Sequence, residues 1–508
     1  MRRGLLGALA LLLIGLAVAV PVAVTTFVGT ERAVTIGAHN ATARPTFDGH
    51  IRIMAGPLLP ELRMPSDAPL GIGAQVILRD SPDTDLERVL AQDAAIASQP
   101  EGEIAAMTSE ISQMAFLALQ RGAAVGVMAM VLAAGVWWAV GPRRRRELRR
   151  SWPPTPRQAL VAGAMGIVLI GALMVYLPDP STHRETAWVP IRQEFPELPD
   201  EPRLARVEIS RGAASATSKA IVEGALDTYR ESLRFYSDLA RKAEGLAVRA
   251  PEPGQSTALV VTDRHDNVGM DPVARQVADA AQVSFVLDLG DDTSNGASWE
   301  AFSINSLRQT FADLPIVAVA GNHDTGRHIR QEMERQDFLI LDGEPVEVEG
   351  VRILGESDPR SSGLTAGYNG NESDNIQAIS EQDEALARTA CEDGEVTLLA
   401  THSSASARRT LEQGCVDLAI SGHLHRQVGP TTVEGPAGTA TSLTIGSTGG
   451  AVYAFALGTK LRRDAQVAVL TFEDGRVVGF QIVTFRPGAE IVIGDYTPLP
   501  GPAPATVD

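Results

Sequence analysis

Ile316-Val317-Ala318-Val319-Ala320-Gly321-Asn322-His323-Asp324 is a short apolar run that ends on a glycine, an amide, an imidazole and a carboxylate. A run this short and rich in valine predicts a buried strand whose carboxyl end delivers those groups into a loop. The same pattern recurs. Ala258 to Thr262 leads into Asp263-x-His265, and Val283 to Leu289 into Gly290-Asp291. Val396 to Thr401 leads into His402, and Val416 to Ser421 into Gly422-His423-x-His425. Of the 9 histidines in the chain, five fall in these motifs. Helix candidates at Pro272 to Gln282 and Trp299 to Ala312 separate the first three runs, which gives a βαβ rhythm and an α/β fold class.

The motifs together supply three carboxylates (Asp263, Asp291, Asp324), five imidazoles (His265, His323, His402, His423, His425) and the Asn322 amide oxygen. In open α/β sheets, ligands bind where loops converge at the carboxyl ends of strands. Imidazole and carboxylate donors suit Mn, Fe, Zn or Ni. A pair of such ions sharing one carboxylate is well suited to cleaving phosphate esters.

The set resembles the calcineurin-like metallophosphoesterase superfamily over about residues 255 to 450. The resemblance implies a β-sandwich flanked by helices and two divalent metal ions. It implies that Asp263, His265, Asp291 and His425 hold one ion and that Asp291, Asn322, His402 and His423 hold the other, with Asp291 bridging. It also implies that His323 protonates the leaving oxygen or steadies the transition state. Asp324, its neighbour, can orient that imidazole. The second motif, Gly290-Asp291-Asp292-Thr293, lacks the Asp-Arg-Gly of the protein Ser/Thr phosphatases, which argues against a phosphoprotein substrate. The fourth, Thr401-His402-Ser403-Ser404, lacks the prolines of many relatives but keeps the ligand. Gly446 to Gly450 either lines the pocket by backbone approach or is a plain loop. His328 is expected to face solvent, and His39 and His50, which lack metal spacing, to be surface or structural residues.

Elsewhere the chain is patterned for a membrane. Leu5 to Val24, Gly122 to Val140 and Ala159 to Leu177 carry no charge, and about 20 apolar residues span a bilayer as a helix. The first run follows Arg2-Arg3 and also fits a signal peptide. Seven arginines and one acid between Pro142 and Arg157 are a positive-inside signal, and Trp137-Trp138 fits an interfacial belt. The expected organisation is therefore as follows. Residues 1–28 form a signal peptide or membrane helix, and 29–115 an extracytoplasmic segment. Residues 116–178 hold two membrane helices around a basic cytoplasmic loop. Residues 179–250 carry a linker, a strand and a long amphipathic helix. Residues 251–497 form an extracytoplasmic catalytic domain, and 498–508 a Pro-rich tail. The protein is thus expected to be multi-pass in the cell membrane, with the lipid bilayer and a phosphoester substrate as partners.

A net charge of -18 argues against nucleic-acid coating. Only Lys219, Lys242 and Lys460 are lysine among the 44 basic residues, which looks like the coding bias of a GC-rich bacterium. An outward domain also permits a disulfide. Cys391 and Cys415 precede strand-like runs, and if those strands are parallel neighbours a bridge fits; otherwise both are free. Toward the end, Ser442 to Ile445, Val452 to Ala456, Val467 to Phe472 and Val477 to Phe485 read as strands, with Asp474-Gly475 as a hairpin turn. A non-catalytic membrane sensor or assembly protein on the same scaffold is the alternative function. A transporter is disfavoured, because the spans hold no charged residue.

Overall fold

The computed structural model describes residues 2–36, 39–54, 61–66, 68, 71–79, 101–151, 187–194, 206–210, 216–297, 300–363, 368–451 and 460–500. Two compact units divide the chain, one formed by 1–82 with 104–221 and the other by 83–103 with 222–508.

The first unit contains two helices long and apolar enough to cross a membrane, Arg2–Val28 and Glu101–Ala139. The second helix begins well before the apolar run at 122–140 and continues through it unbroken. The third apolar run, at 159–177, lies outside the described residues. The basic segment is not a loop but a helix, Gly141–Ser151. The two long helices approach closely over small residues. A Cβ added at Gly122 would meet Ala19 O at 2.6 Å, and one at Gly126 would meet Gly15 O at 2.8 Å. Bare backbone lets apolar helices pack by van der Waals contact, the usual means of association in lipid.

The remainder of this unit is a seven-stranded sheet. Its strands are β1 (Arg32–Ile36), β2 (His39–Thr46), β3 (His50–Met54), β4 (Leu62–Pro65), β5 (Gly73–Leu78), β6 (Trp188–Pro190) and β7 (Glu208–Ser210). Their order is β1-β2-β5-β3-β4-β7-β6. The stretch expected as linker thus gives β6 to this sheet. Arg63 fixes part of this edge, pairing with Glu208 at 2.6 Å and lying 4.5 Å from the Trp188 ring.

The second unit is a sandwich of two sheets. One follows the order β11 (Leu339–Ile340), β10 (Ile316–Ala318), β9 (Phe285–Asp288), β8 (Gln255–Val261), β18 (Ala465–Glu473), β19 (Arg476–Phe485), β20 (Ile491–Ile493), and β21 (Thr497–Pro498) also pairs with β19. The other runs β12 (Val346–Val348), β13 (Val351–Glu356), β14 (Leu398–Thr401), β15 (Leu418–Ser421), β17 (Thr439–Thr444), β16 (Val428–Glu434).

Side-chain alternation builds the layers. On β8, Ala258 and Val260 face the other sheet and join Leu287, Val317, Ile353, Leu398 and Ile420 in the central core. Leu259 and Val261 face the helices, with Val273 and Val277 of helix Asp271–Ala281. Leu354, Leu399 and Ala419 pack on the far side, against Leu386 and Ala390 of helix Glu372–Asp393. Strands buried on both faces read as unbroken apolar runs, which is why the sequence shows no polar alternation there. The amphipathic helix Ala216–Ala243 packs Tyr236, Leu239 and Ala243 into the helix-side core.

Pairing confirms the closing hairpin. Glu473 faces Arg476, so Asp474-Gly475 is a two-residue turn, and both have positive φ (49° and 76°) as such a turn requires. The expected strand at 452–456 lies outside the described residues. Cys391 and Cys415 form a disulfide with Cα atoms 5.1 Å apart. The register explains it: β14 and β15 are parallel with Leu398 beside Leu418, so both cysteines reach the same end of the sheet.

Candidate metal centre

β8, β9 and β10 are mutually parallel, as are β14 and β15. All five therefore release their chains at the same end of the sandwich, and the five motifs meet there. Two groups form. Asp263, His265 and His425 present ligand atoms within 4.8 Å of one another, and so do Asp291, His402 and His423. His425 Nε2 is 3.2 Å from Asp263 Oδ1, and His402 Nε2 is 3.1 Å from Asp291 Oδ2. The groups touch, since His265 Nε2 lies 3.8 Å from Asp291 Oδ2. Asn322 Oδ1 joins the second group, 3.1 Å from His402 Nε2.

The ligand loops are wound tightly. Asp263, His265, Asp266, Asp291, His423 and His425 all have positive φ. Asp and His tolerate this region better than most residues, yet each costs roughly 1 kcal/mol or more. The strain turns successive side chains toward one point. Gly321 passes so close to Asp291 that an added Cβ would sit 2.1 Å from Asp291 Oδ1. Ser447 Oγ donates to Asp263 O at 2.6 Å, and Gly449 N donates to the same carbonyl at 3.3 Å. The 446–450 segment thus braces the first ligand loop from behind.

Backbone carbonyls hold the rings. The Nδ1 of His265 lies 3.1 Å from Thr293 O, that of His402 2.8 Å from Leu289 O, and that of His323 3.0 Å from Ser294 O. An Nδ1–H donated to a carbonyl leaves Nε2 with its lone pair, the arrangement that orients imidazoles toward a metal. His265 Nε2 and His425 Nε2 face each other at 3.0 Å, two lone-pair atoms gathered around one position.

Charge is tuned by the same crowding. Burial opposes ionisation of Asp263, but the neighbouring His425 outweighs it and holds the carboxyl down at about 2. Asp291 is likewise held well below the usual carboxylate range by His402, against its burial. Burial works against a charged His402, yet Asp291 pushes it up to about 10. Burial and His425 hold His265 down to about 3, and burial and His402 hold His423 down to about 4. Burial likewise opposes a charged His425, yet Asp263 pushes it up, so without a cation His402 and His425 lean to the charged form beside the acids while His265 and His423 stay neutral.

Asp324 stands apart from its expected contact. It does not meet the His323 ring, whose Nδ1 is held by Ser294 O. Its Oδ2 accepts from the amides of Asp291 at 2.6 Å and Gly321 at 2.9 Å, and its Oδ1 from Thr293 N and Oγ1, both at 2.9 Å. Burial, with Asp292 and Asp291 nearby, pushes this carboxyl up to about 7. His328 is exposed and outside the centre. His50 is held by Asp48 O at 2.7 Å in the first unit.

Two contributors left no readable mark in the sequence. Arg264, at the unspecified position of Asp-x-His, is fully buried. It forks onto Asp271 at 3.0 and 2.9 Å, and reaches Asp292 at 2.6 Å and Ser303 O at 2.9 Å. Tyr368, from a Gly- and Asn-rich loop, sets its hydroxyl 3.0 Å from His423 Nε2. Their roles come from the folding-together of distant segments, which no local spacing encodes.

With this geometry in view, the match of residues 256–427 to the family described as calcineurin-like phosphoesterase is decisive. Residues 256–427 are a calcineurin-like phosphoesterase domain. The domain is that of a metal-dependent phosphoester hydrolase, and its two ligand groups fit a dinuclear metal centre. No curated protein matches the chain. Among solved structures, an archaeal phosphodiesterase aligns at 15% identity over 47% of this chain and 99% of its own, with a TM-score of 0.26. The protein TT1561 of Thermus thermophilus aligns at 8% identity over 47% and 98%, with a TM-score of 0.27. Both are remote, and the assignment rests on the family match.

Proposed function

We propose that the chain is a membrane-anchored, outward-facing binuclear-metal phosphohydrolase. The observation that carries the hydrolase part is the pair of touching ligand groups, each within 4.8 Å, at one end of the sandwich. In this reading Asp263, His265 and His425 hold one divalent ion. Asn322, His402 and His423 hold the other, and Asp291 bridges. The donor set fits, since His265 and His402 are oriented by carbonyls and the carboxyls of Asp263 and Asp291 are held low. Bound there, Mn, Fe, Zn or Ni would polarise phosphoryl oxygens and acidify a water.

The chain's own groups do the rest. His323, with Nδ1–H donated to Ser294 O, acts in its doubly protonated form: Nε2–H passes its proton to the leaving oxygen and the ring is left neutral. Asp291 Oδ1 accepts the His323 amide at 2.7 Å, so the metal site and the proton donor move as one piece. Asp324 is a positioning residue that fixes the loop carrying Asp291. Purified protein with Mn should hydrolyse a generic aryl phosphate ester. Full activity in Asp291→Ala would falsify this reading.

Three features support the anchoring and orientation. The long apolar helices pack over Gly122 and Gly126 against Gly15 and Ala19, which favours retention of the first helix over its cleavage. The arginine-rich helix Gly141–Ser151 follows the second span, as a cytoplasmic flank would. The disulfide lies in the catalytic unit, as expected in an oxidising compartment. A membrane-impermeant maleimide on intact cells should label Glu490→Cys and spare Arg144→Cys. The reverse pattern would overturn the orientation.

A further inference from the structure

We propose that a hollow beside Tyr368 receives the organic part of the ester, and that this part is an uncharged, ring-bearing alcohol with hydrogen-bond donors on its edge. The inference rests on the phosphohydrolase reading and names the substrate class for that site.

The hollow has a volume of about 500 Å³ and is lined by Arg360, Tyr368, Asn375, Ile376, Ile379 and Ala405. Small-molecule sites commonly have this size. Tyr368 joins it to the metal centre. Its ring stacks near-parallel to His423, with centroids 6.2 Å apart and planes 17° apart, and its hydroxyl is 3.0 Å from His423 Nε2. Tyr368 thus belongs both to the wall of the hollow and to the surroundings of a proposed ligand, so an ester held at the centre would have the hollow beside it.

The walls select the occupant. Arg360 lies 4.2 Å from the Tyr368 centroid and forks onto buried Asp358 at 2.9 and 2.6 Å. Its charge is matched by that carboxylate, so it stiffens the tyrosine platform without demanding an anion. Ile376 is 64% exposed although large and apolar, and with Ile379 and Ala405 it forms a surface that a ring body would cover. The rim accepts hydrogen bonds. Asn375 spends its Nδ2 on Asn369 O at 3.0 Å, so its amide oxygen is the part left to accept, and Glu372 adds a carboxylate. Two acceptors call for hydroxyl or amine donors, and the carboxylate repels a second anionic group. A bare acyl chain would leave both rim groups desolvated and unpaired. A nucleoside and a hexose share the required chemistry.

The test uses the full chain in detergent micelles. Saturation-transfer NMR on metal-free protein, with adenosine and with methyl glucoside, reads the hollow without hydrolysis. Kinetics with Mn compare phosphate mono- and methyl diesters of adenosine, glucose and ethanol. At least one ring alcohol should bind, and the one that does identifies the source. Ile376→Asp, at an exposed helical position, should abolish that transfer. It should also lower the ratio of kcat/KM for the ring ester over the ethyl ester about tenfold, through KM. If neither alcohol binds, or Ile376→Asp changes neither binding nor the ratio, the proposal falls. If a ring alcohol binds and Ile376→Asp removes it while no ester is hydrolysed, the hollow stands and the phosphohydrolase reading fails.

Discussion

The carboxylate of Asp324 takes the backbone amide of Asp291 at 2.6 Å, so the residue after the proposed proton donor holds the proposed bridging ligand from behind. The same carboxylate also accepts from Gly321 and Thr293. One acid thus ties the second and third motifs into a single rigid loop pair. Asp324→Asn keeps the size but loses the charge-assisted acceptor on one side. It should reduce metal affinity about 10- to 100-fold, as loss of a group that orients ligands does elsewhere. The check is a competitive chelator titration. Unchanged affinity would remove Asp324 from its positioning role.

His323 should behave oppositely. Its ring packs edge-on against His265, with centroids 5.2 Å apart, but it is not one of the proposed ligands, and its Nδ1 is satisfied by Ser294 O. His323→Ala should therefore leave metal content intact and lower kcat about 10²- to 10⁴-fold, the usual worth of a positioned acid. Elemental analysis beside steady-state kinetics separates the two effects. Loss of metal together with activity would make His323 a structural residue.

Much of this was legible beforehand, for a definite reason. β8, β9, β10, β14 and β15 are buried on both faces, so each appears in the sequence as an uninterrupted apolar run with its ligands just beyond. What stayed hidden depends on non-local contact. β6 is only three residues long, Trp188–Pro190, and is a strand because β7 is beside it. The basic segment looked like a loop because arginines mark topology more loudly than helix propensity. Asp324 was read as a partner of His323 because sequence adjacency suggests contact. Instead Asp324 turns to the amides of Asp291 and Thr293, and His323 to the Ser294 carbonyl, partners far away in the chain.

Metal-free protein should lose stability as pH rises from neutral toward 10. His402 is the cause. Burial opposes its charge, but Asp291 raises its pKa to about 10 from the ordinary 6.5. A group whose pKa is higher in the folded state contributes fully below its unfolded pKa, and the contribution disappears as pH climbs through the folded value. Thermal melts of chelated protein from pH 7 to 10 should show the decline. It should flatten in His402→Gln and on metal addition, because a bound cation replaces the proton. A melt temperature independent of pH over that window in chelated wild type would contradict the assignment.

The disulfide should stabilise the second unit mainly by restricting the unfolded chain. Cys391 and Cys415 are separated by 24 positions, and closing such a loop contributes about 3 kcal/mol in the chain-entropy model. Cys415→Ser should lower the denaturant midpoint accordingly and leave kcat unchanged, because the bridge lies at the end of β14 and β15 away from the ligands. An unchanged midpoint would show that the bridge adds nothing to the folded state.

Arg264 offers the sharpest separation of folding from chemistry. It is buried to 0% exposure between Asp271 and Asp292, within a group that also includes Asp288, another fully buried acid. Those carboxylates hold its guanidinium charged despite burial, and it in turn is the cation nearest to them. Removing one partner from a buried ionic cluster typically costs about 3–5 kcal/mol, because the remaining charges stay desolvated and unmatched. Arg264→Met should therefore destabilise far more than the loss of any surface pair, such as Arg486 with Glu490, whose worth is about 0–1 kcal/mol. Asp292 adjoins the Asp291 ligand, so the variant's metal affinity should fall along with its melting temperature. Arg264→Lys should recover part of the stability, since it restores the charge without the fork onto Asp271. Equal melting temperatures for wild type and Arg264→Met would mean that the buried acids are neutralised by protons alone, and that the arginine is dispensable to the loop carrying Asp291.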